Sequence, residues 1–187
     1  LCTHYRCTRF KKEGLQLMAP DHLNYIERTL INNLRSGSYK SGYDGDTQWA
    51  WTSGSVKVFG QFPEPEEAQY PCIVVEMIAN GIEEQFLGMG MSNDKRGELY
   101  GVAFQIHVIV DSESTLDNGT GTGYKQRRLI NYLMNNVANI VMDATFDSAD
   151  TEVTSRYHTG FKEIGYDPTL ELFAASTGMI VVFKNDR

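Results

Sequence analysis

ELYGVAFQIHVIVD, residues 98–111, followed after a polar spacer by YKQRRLINYLMNNVANIVMDA, residues 124–144, is the stretch on which the fold turns. In the first segment Tyr100, Val102, Phe104, Ile106, Val108 and Val110 alternate with Gly101, Ala103, Gln105 and His107. A period of two places the apolar set on one face of an extended chain, so the spacing predicts a long strand with one face in the core. In the second, Ile130, Leu133, Met134, Val137, Ile140, Val141 and Ala144 recur at offsets of three, four and seven. That stripe predicts a helix lying on the sheet to which the strand belongs.

Working outward, DHLNYIERTLINNLRSG predicts an earlier helix: Pro20 and a capping Asp21 open it, Leu23, Ile26, Leu30 and Leu34 form its buried stripe, and Gly37 ends it. VKVFGQF from Val56 and CIVVEMIAN from Cys72 read as strands, the second with both faces partly buried. Asn80-Gly81 reads as a hairpin turn into a shorter strand at Gln85 to Leu87, making three neighbouring antiparallel strands with the one at Glu98. EVTSRYH alternates, with Arg156 and His158 toward solvent or a neighbour. TLELFAAS and GMIVVFKN read as a closing hairpin turning at Ser176-Thr177-Gly178. The expected class is α+β: a mixed, largely antiparallel sheet flanked by two main helices, with long loops. Residues 1–20 form an N-terminal arm and 21–187 a single domain.

Hydrophobic residues at 41% and charged residues at 22% are ordinary for a globular chain. The formal net charge of −7 disfavours generic gripping of nucleic acid, which relies on Lys and Arg displacing counterions. Three cysteines, Cys2, Cys7 and Cys72, are too few and uneven for a disulfide framework, so reduced thiols and synthesis in a cytoplasm are expected. No stretch approaches the roughly 18 apolar residues that read as a membrane span.

Each chemical motif has a plainer reading. Cys2, His4 and Cys7 are zinc-ligand types without a second pair at finger spacing, and an arm is favoured. Asp44 and Asp46 lack the distal glutamate of a calcium loop, while Asp143, Asp147, Asp150 and Glu152 match no loop spacing, so no metal is expected. DSESTLDNGTGTG, 111–123, is Gly-rich but lacks the Lys-Ser/Thr of a phosphate loop and reads as a mobile linker; no cofactor is expected. His22 reads as solvated, His107 as a structural residue, and a Cys72–His107 nucleophile pair has no supporting signature. No catalytic set emerges, and an enzyme is not expected. The contact surfaces singled out are the 36–55 excursion with Tyr43, Trp49 and Trp51, the 111–123 loop with Asp111, Glu113 and Asp117, and the cations Lys125, Arg127 and Arg128 that open the second helix.

Taken together, DHLNYIERTLINNL, YPCIVVEMIANGIEEQFLG, GELYGVAFQIHVIVD with RRLINYLMNNVANIVMD, and TLELFAASTGMIVVFK resemble the tail terminator proteins of long-tailed bacteriophages, over Asp21 to Phe183. The resemblance implies a virion structural subunit, assembled in the host cytoplasm, that forms a homo-oligomeric ring, typically a hexamer, at the end of the tail tube. It implies contacts with tail tube protein, neck or connector proteins and the sheath where there is one, and DNA passing through the lumen without sequence-specific binding. It implies no cofactor, enzyme activity or membrane contact. The alternatives are a neck adaptor or stopper protein of the head-tail connector, a small-molecule-binding or hydrolytic α+β domain, and a nucleic-acid-binding module.

Overall fold

The computed structural model describes residues 20–40, 45–86, 97–117, 123–146, 152–162 and 165–186. The 1–19 arm with Cys2, His4 and Cys7, the positions Tyr43, Asp44, Leu87, Asp147 and Asp150, and the carboxylates of Glu83, Glu84 and Asp117 lie outside the described residues or side chains.

Two helices and ten strands run in the order α1 (Pro20–Ser36), β1 (Ser38–Lys40), β2 (Thr47–Trp49), β3 (Lys57–Phe59), β4 (Cys72–Phe86), β5 (Gly97–Asp111), β6 (Thr115–Asp117), β7 (Gly123–Lys125), α2 (Gln126–Asp143), β8 (Glu152–Phe161), β9 (Gly165–Asp167) and β10 (Leu172–Asp186). The main sheet has the order β3-β4-β5-β10-β8, with β9 also on β10. All its pairings are antiparallel except β3 with β4, which is parallel. The class is α+β, as the alternating and helical spacings indicate.

β5 sits at the centre because its apolar alternation runs unbroken along its length, and it pairs with β10 from Gly97 to Asp111 and with β4 from Gly97 to Ile109. Its even-numbered residues Val102 to Val110 are fully buried, in one core with Ile26, Leu30 and Leu34 of α1 and Leu129, Ile130, Leu133, Val137, Ile140 and Val141 of α2. Each such side chain contributes about 1.5–3 kcal/mol by leaving water, so the helix stripes are what hold α1 and α2 down. Gly37 ends α1 at φ +65°, a left-handed C′ position, where its N–H donates to the Asn33 and Leu34 carbonyls. Arg35 in the last turn donates from Nη2 to the Val58 carbonyl at 3.1 Å and ties α1 to β3.

Local turn signals mislead in two places. Asn80-Gly81 is not a turn: β4 continues through it, opposite Val102 and Gly101, with irregularities between Met77 and Ala79 and between Ile82 and Glu84. Ser176-Thr177-Gly178 likewise lies inside β10, opposite His107, Ile106 and Gln105. Gly178 serves a close approach instead, since a Cβ there would collide with Thr159 Oγ1. In both cases pairing along a long central strand overrides a local preference. The hairpin that closes the sheet joins β8 and β9 to β10 around residues 168–171.

Two segments expected as irregular carry short ladders. The 36–55 excursion holds β1 paired with β2, and the 111–123 linker contributes β6, paired with β7.

Candidate interaction surface

The two faces of the main sheet differ because only one is lined by large apolar residues throughout. Opposed residues of an antiparallel pair share a face, so the registers put Cys72, Val74 and Glu76 of β4, Gln105, His107 and Ile109 of β5, and Ala174, Ser176 and Ile180 of β10 together on the face turned from the helices. The 60–71 connector covers one end of it. There the Phe62 ring lies over His107 with centroids 5.0 Å apart, and Cys72 and Val74 are buried. Gln105 Nε2 donates to Ser176 Oγ at 3.2 Å. His107 Nε2 approaches Glu76 Oε2 at 3.5 Å, too long for a good hydrogen bond. It alone, among the buried side-chain nitrogens and oxygens of the described residues, lacks a hydrogen-bond partner.

Cys72 and His107 stand diagonally on this face, since Cys72 opposes Ile109 and His107 opposes Val74. Burial, with the Asp111 carboxylate second, pushes the Cys72 thiol up to about 11. A thiol so placed stays protonated near neutral pH and is a poor nucleophile. Burial also raises the Tyr70 hydroxyl, with Cys72 and Asp111 adding to it. Among the described residues no three His, Cys, Asp or Glu side chains group as metal ligands. Asp143 is committed locally, its Oδ2 accepting the Lys40 N–H at 2.7 Å.

The excursion after α1 divides its two tryptophans. Trp49 ends β2 with 68% of its surface exposed, whereas Trp51 is 3% exposed and donates from Nε1 to the Leu34 carbonyl at 3.2 Å. Trp51 therefore belongs to the chain's own core and presents no contact surface, a correction to its reading as a partner anchor. A side chain at Gly37 would collide with its indole, so the left-handed glycine also makes room for it. Tyr132 Oη on α2 donates to the Ala50 carbonyl and pins the same segment.

Residues 111–117 are held by specific contacts rather than as a linker. Asp111 Oδ1 accepts the Ser114 N–H at 2.7 Å, Ser114 and Leu116 are buried, and Ser112 Oγ donates to Glu171 Oε2 at 3.1 Å. Glu113, Lys125, Arg127 and Arg128 are exposed, and Asp117 ends β6 opposite Gly123. The β6–β7 ladder places Thr115 opposite Lys125, just before α2 begins. The segment that carries Trp49 is tied to α2 on either side, where Ala50 meets Tyr132 and Lys40 meets Asp143.

The sheet borders were legible as a principle but not by position. β3 pairs only with Cys72 to Val74, leaving the rest of β4 without a strand neighbour on that side among the described residues. Among the described residues, β8 is the opposite border. Exposed apolar side chains include Ile78 on β4, Tyr157 and Phe161 on β8, Tyr166 on β9 and Leu170 in the following turn. Arg156 and His158 of β8 turn inward, to the Ala144 carbonyl and to Thr177 Oγ1 respectively. The sequence matches no protein-family model and no curated protein.

Proposed function

We propose that the chain is a structural subunit of a phage tail, closing with its copies into a ring at the end of the tail tube, joining the tube to the neck and letting DNA pass through the lumen. The observation that carries this reading is one sheet that, among the described residues, ends on different strands at its two sides, β8 at one and β3 with the far part of β4 at the other. Contacts between different borders of identical subunits are heterologous, and they either close into a ring or run on as a filament. The resemblance to tail terminators supplies the closed form and the six-fold count. The acidic balance suits a passage that does not hold DNA back, and the thiol of Cys72, kept protonated, suits a structural subunit better than a hydrolase. Exposed Trp49 and the cations Lys125, Arg127 and Arg128 are the surfaces offered to tube and neck proteins. Gold-labelled antibody against the chain, applied to virions that carry it, should decorate the head-proximal end of the tail. Label confined to the capsid or the distal tip, or no label on intact and disrupted particles, would refute the reading. Label remaining on heads whose tails have been removed would assign the chain to the connector as an adaptor or stopper.

A further inference from the structure

We infer that the exposed start of α2 in one copy of this chain docks the acidic connector between β3 and β4 of the next copy. This rests on the ring reading, adds one heterologous contact to it, and turns the α2 cations toward a neighbouring copy, leaving Trp49 for tube and neck proteins. Every residue of both surfaces is described, and Lys125, Arg127 and Arg128 on one and Glu64, Glu66 and Glu67 on the other are exposed. None of the six enters an ion pair among the described residues. The cations are also poorly placed within their own helix. Positive charge at a helix start opposes the helix dipole, yet the first turn of α2 carries no carboxylate and Lys125 makes no side-chain cap. The one carboxylate of α2, Asp143, sits at its far end on the Lys40 N–H. A counter-charge therefore has to come from another segment.

The connector supplies one. Residues 60–71 read GQFPEPEEAQYP, with three glutamates and neither lysine nor arginine. Glu67 and Ala68 both donate their N–H to the Glu64 carbonyl, at 2.9 and 3.1 Å, and Pro63 and Pro65 each fix their own φ, so the carboxylates stand on a short, stiff turn. Phe62, 52% exposed, adds apolar area beside them. The two surfaces lie at one end of the sheet but on opposite faces. Phe62 lies over His107 on the face turned from the helices, and the connector leads into Cys72, opposite Ile109 near the end of β5. α2 packs on the other face and starts at that same end, since Lys125 opposes Thr115, just past the end of β5. Its far end, at the Ala144 carbonyl, is held by Arg156, which lies across β10 from Val102 toward the start of β5. The sheet keeps the two surfaces apart within one chain. Copies related by rotation about an axis along the strands bring them together at one level, one face against the other, the head-to-tail relation that a closed ring requires. Exposed charge pairs select the surface and direction of a contact more than they tighten it, so reversing these charges tells more than removing them.

Charge reversal in the full-length protein, read by native mass over a concentration series, tests this. One variant carries Glu64→Lys, Glu66→Lys and Glu67→Lys, the other Lys125→Glu, Arg127→Glu and Arg128→Glu. Each alone should associate at least about tenfold more weakly than the parent, since like charges then face each other, while amide exchange in β5 stays as in the parent monomer. Mixed in equal amounts, the two should assemble again, alternating around the ring, because each reversed surface then meets its opposite. Carbodiimide, which joins an amine to a carboxylate, should link Lys125 to the 64–67 glutamates between isotopically light and heavy copies of the parent. Variants that each assemble as the parent does would overturn the proposal and leave the ring reading standing. So would two variants that fail alone and fail when mixed. A parent that stays monomeric at every concentration would overturn it as well, the ring reading then being decided by labelled virions. Retardation of duplex DNA by the parent that the α2 variant loses, without restored assembly in the mixture, would assign the cations to nucleic acid and overturn the proposal.

Discussion

On the helix side of the main sheet, Val102, Phe104, Ile106, Val108 and Val110 are all at 0% exposure; one residue along, Ala103, Gln105, His107 and Ile109 on the other side are only half-buried. The same strand thus completes a core on one face and leaves the other partly wet, covered at one end by the 60–71 connector. Folding energy is concentrated where the helices lie. The other face carries less of the folding energy, a separation that suits the proposed role of an assembling subunit.

The largest effects should fall on the covered side. Phe104→Ala should cost about 3–5 kcal/mol, because a fully buried ring leaves a cavity. Gln105→Ala, which removes one hydrogen bond to Ser176, should cost about 1 kcal/mol. Urea unfolding of both variants checks the pair, and equal losses would erase the distinction between faces. The tryptophans repeat the contrast inside one loop. Trp51→Ala should cost about 3 kcal/mol through lost packing and the bond to Leu34, while Trp49→Ala should stay within about 0.5 kcal/mol and, on the proposed function, weaken retention of the chain by tail tube or neck protein in a pull-down.

Cys72 sharpens the comparison, since it sits on the open face but beneath the connector. Its folded pKa is raised from 9.0 to about 11. A group so raised adds stability that is full below pH 9 and is lost as pH climbs through about 11; the two-unit shift is worth about 2–3 kcal/mol. Tyr70 and Tyr132, both raised by burial, act in the same direction at the upper end. Denaturant melts at pH 8 and pH 11 should therefore show a fall in stability that Cys72→Ala makes shallower. A fall identical in both proteins would mean the thiol is not shielded.

What could be read from the residues was whatever a period expresses. The alternation from Tyr100 to Val110 and the stripe from Ile130 to Ala144 gave the central strand and α2, and Gly37 marked the end of α1. Turn signals failed where long strands absorb them: Asn80-Gly81 and Ser176-Thr177-Gly178 lie within fifteen-residue strands because β5 offers a partner opposite each of these residues. The tryptophans were equivalent in sequence because burial of Trp51 depends on a carbonyl and a glycine more than a dozen residues away. The borders were anticipated only in kind, since strand order arises from pairing between distant segments and no local pattern encodes it.

Native mass measurement of the purified full-length chain, with electron microscopy of the same sample, tests the central claim most directly. A single closed stoichiometry seen as rings with an open centre is the expected result. A monomer at all concentrations, or a symmetric dimer that uses both of its borders up, would contradict the account.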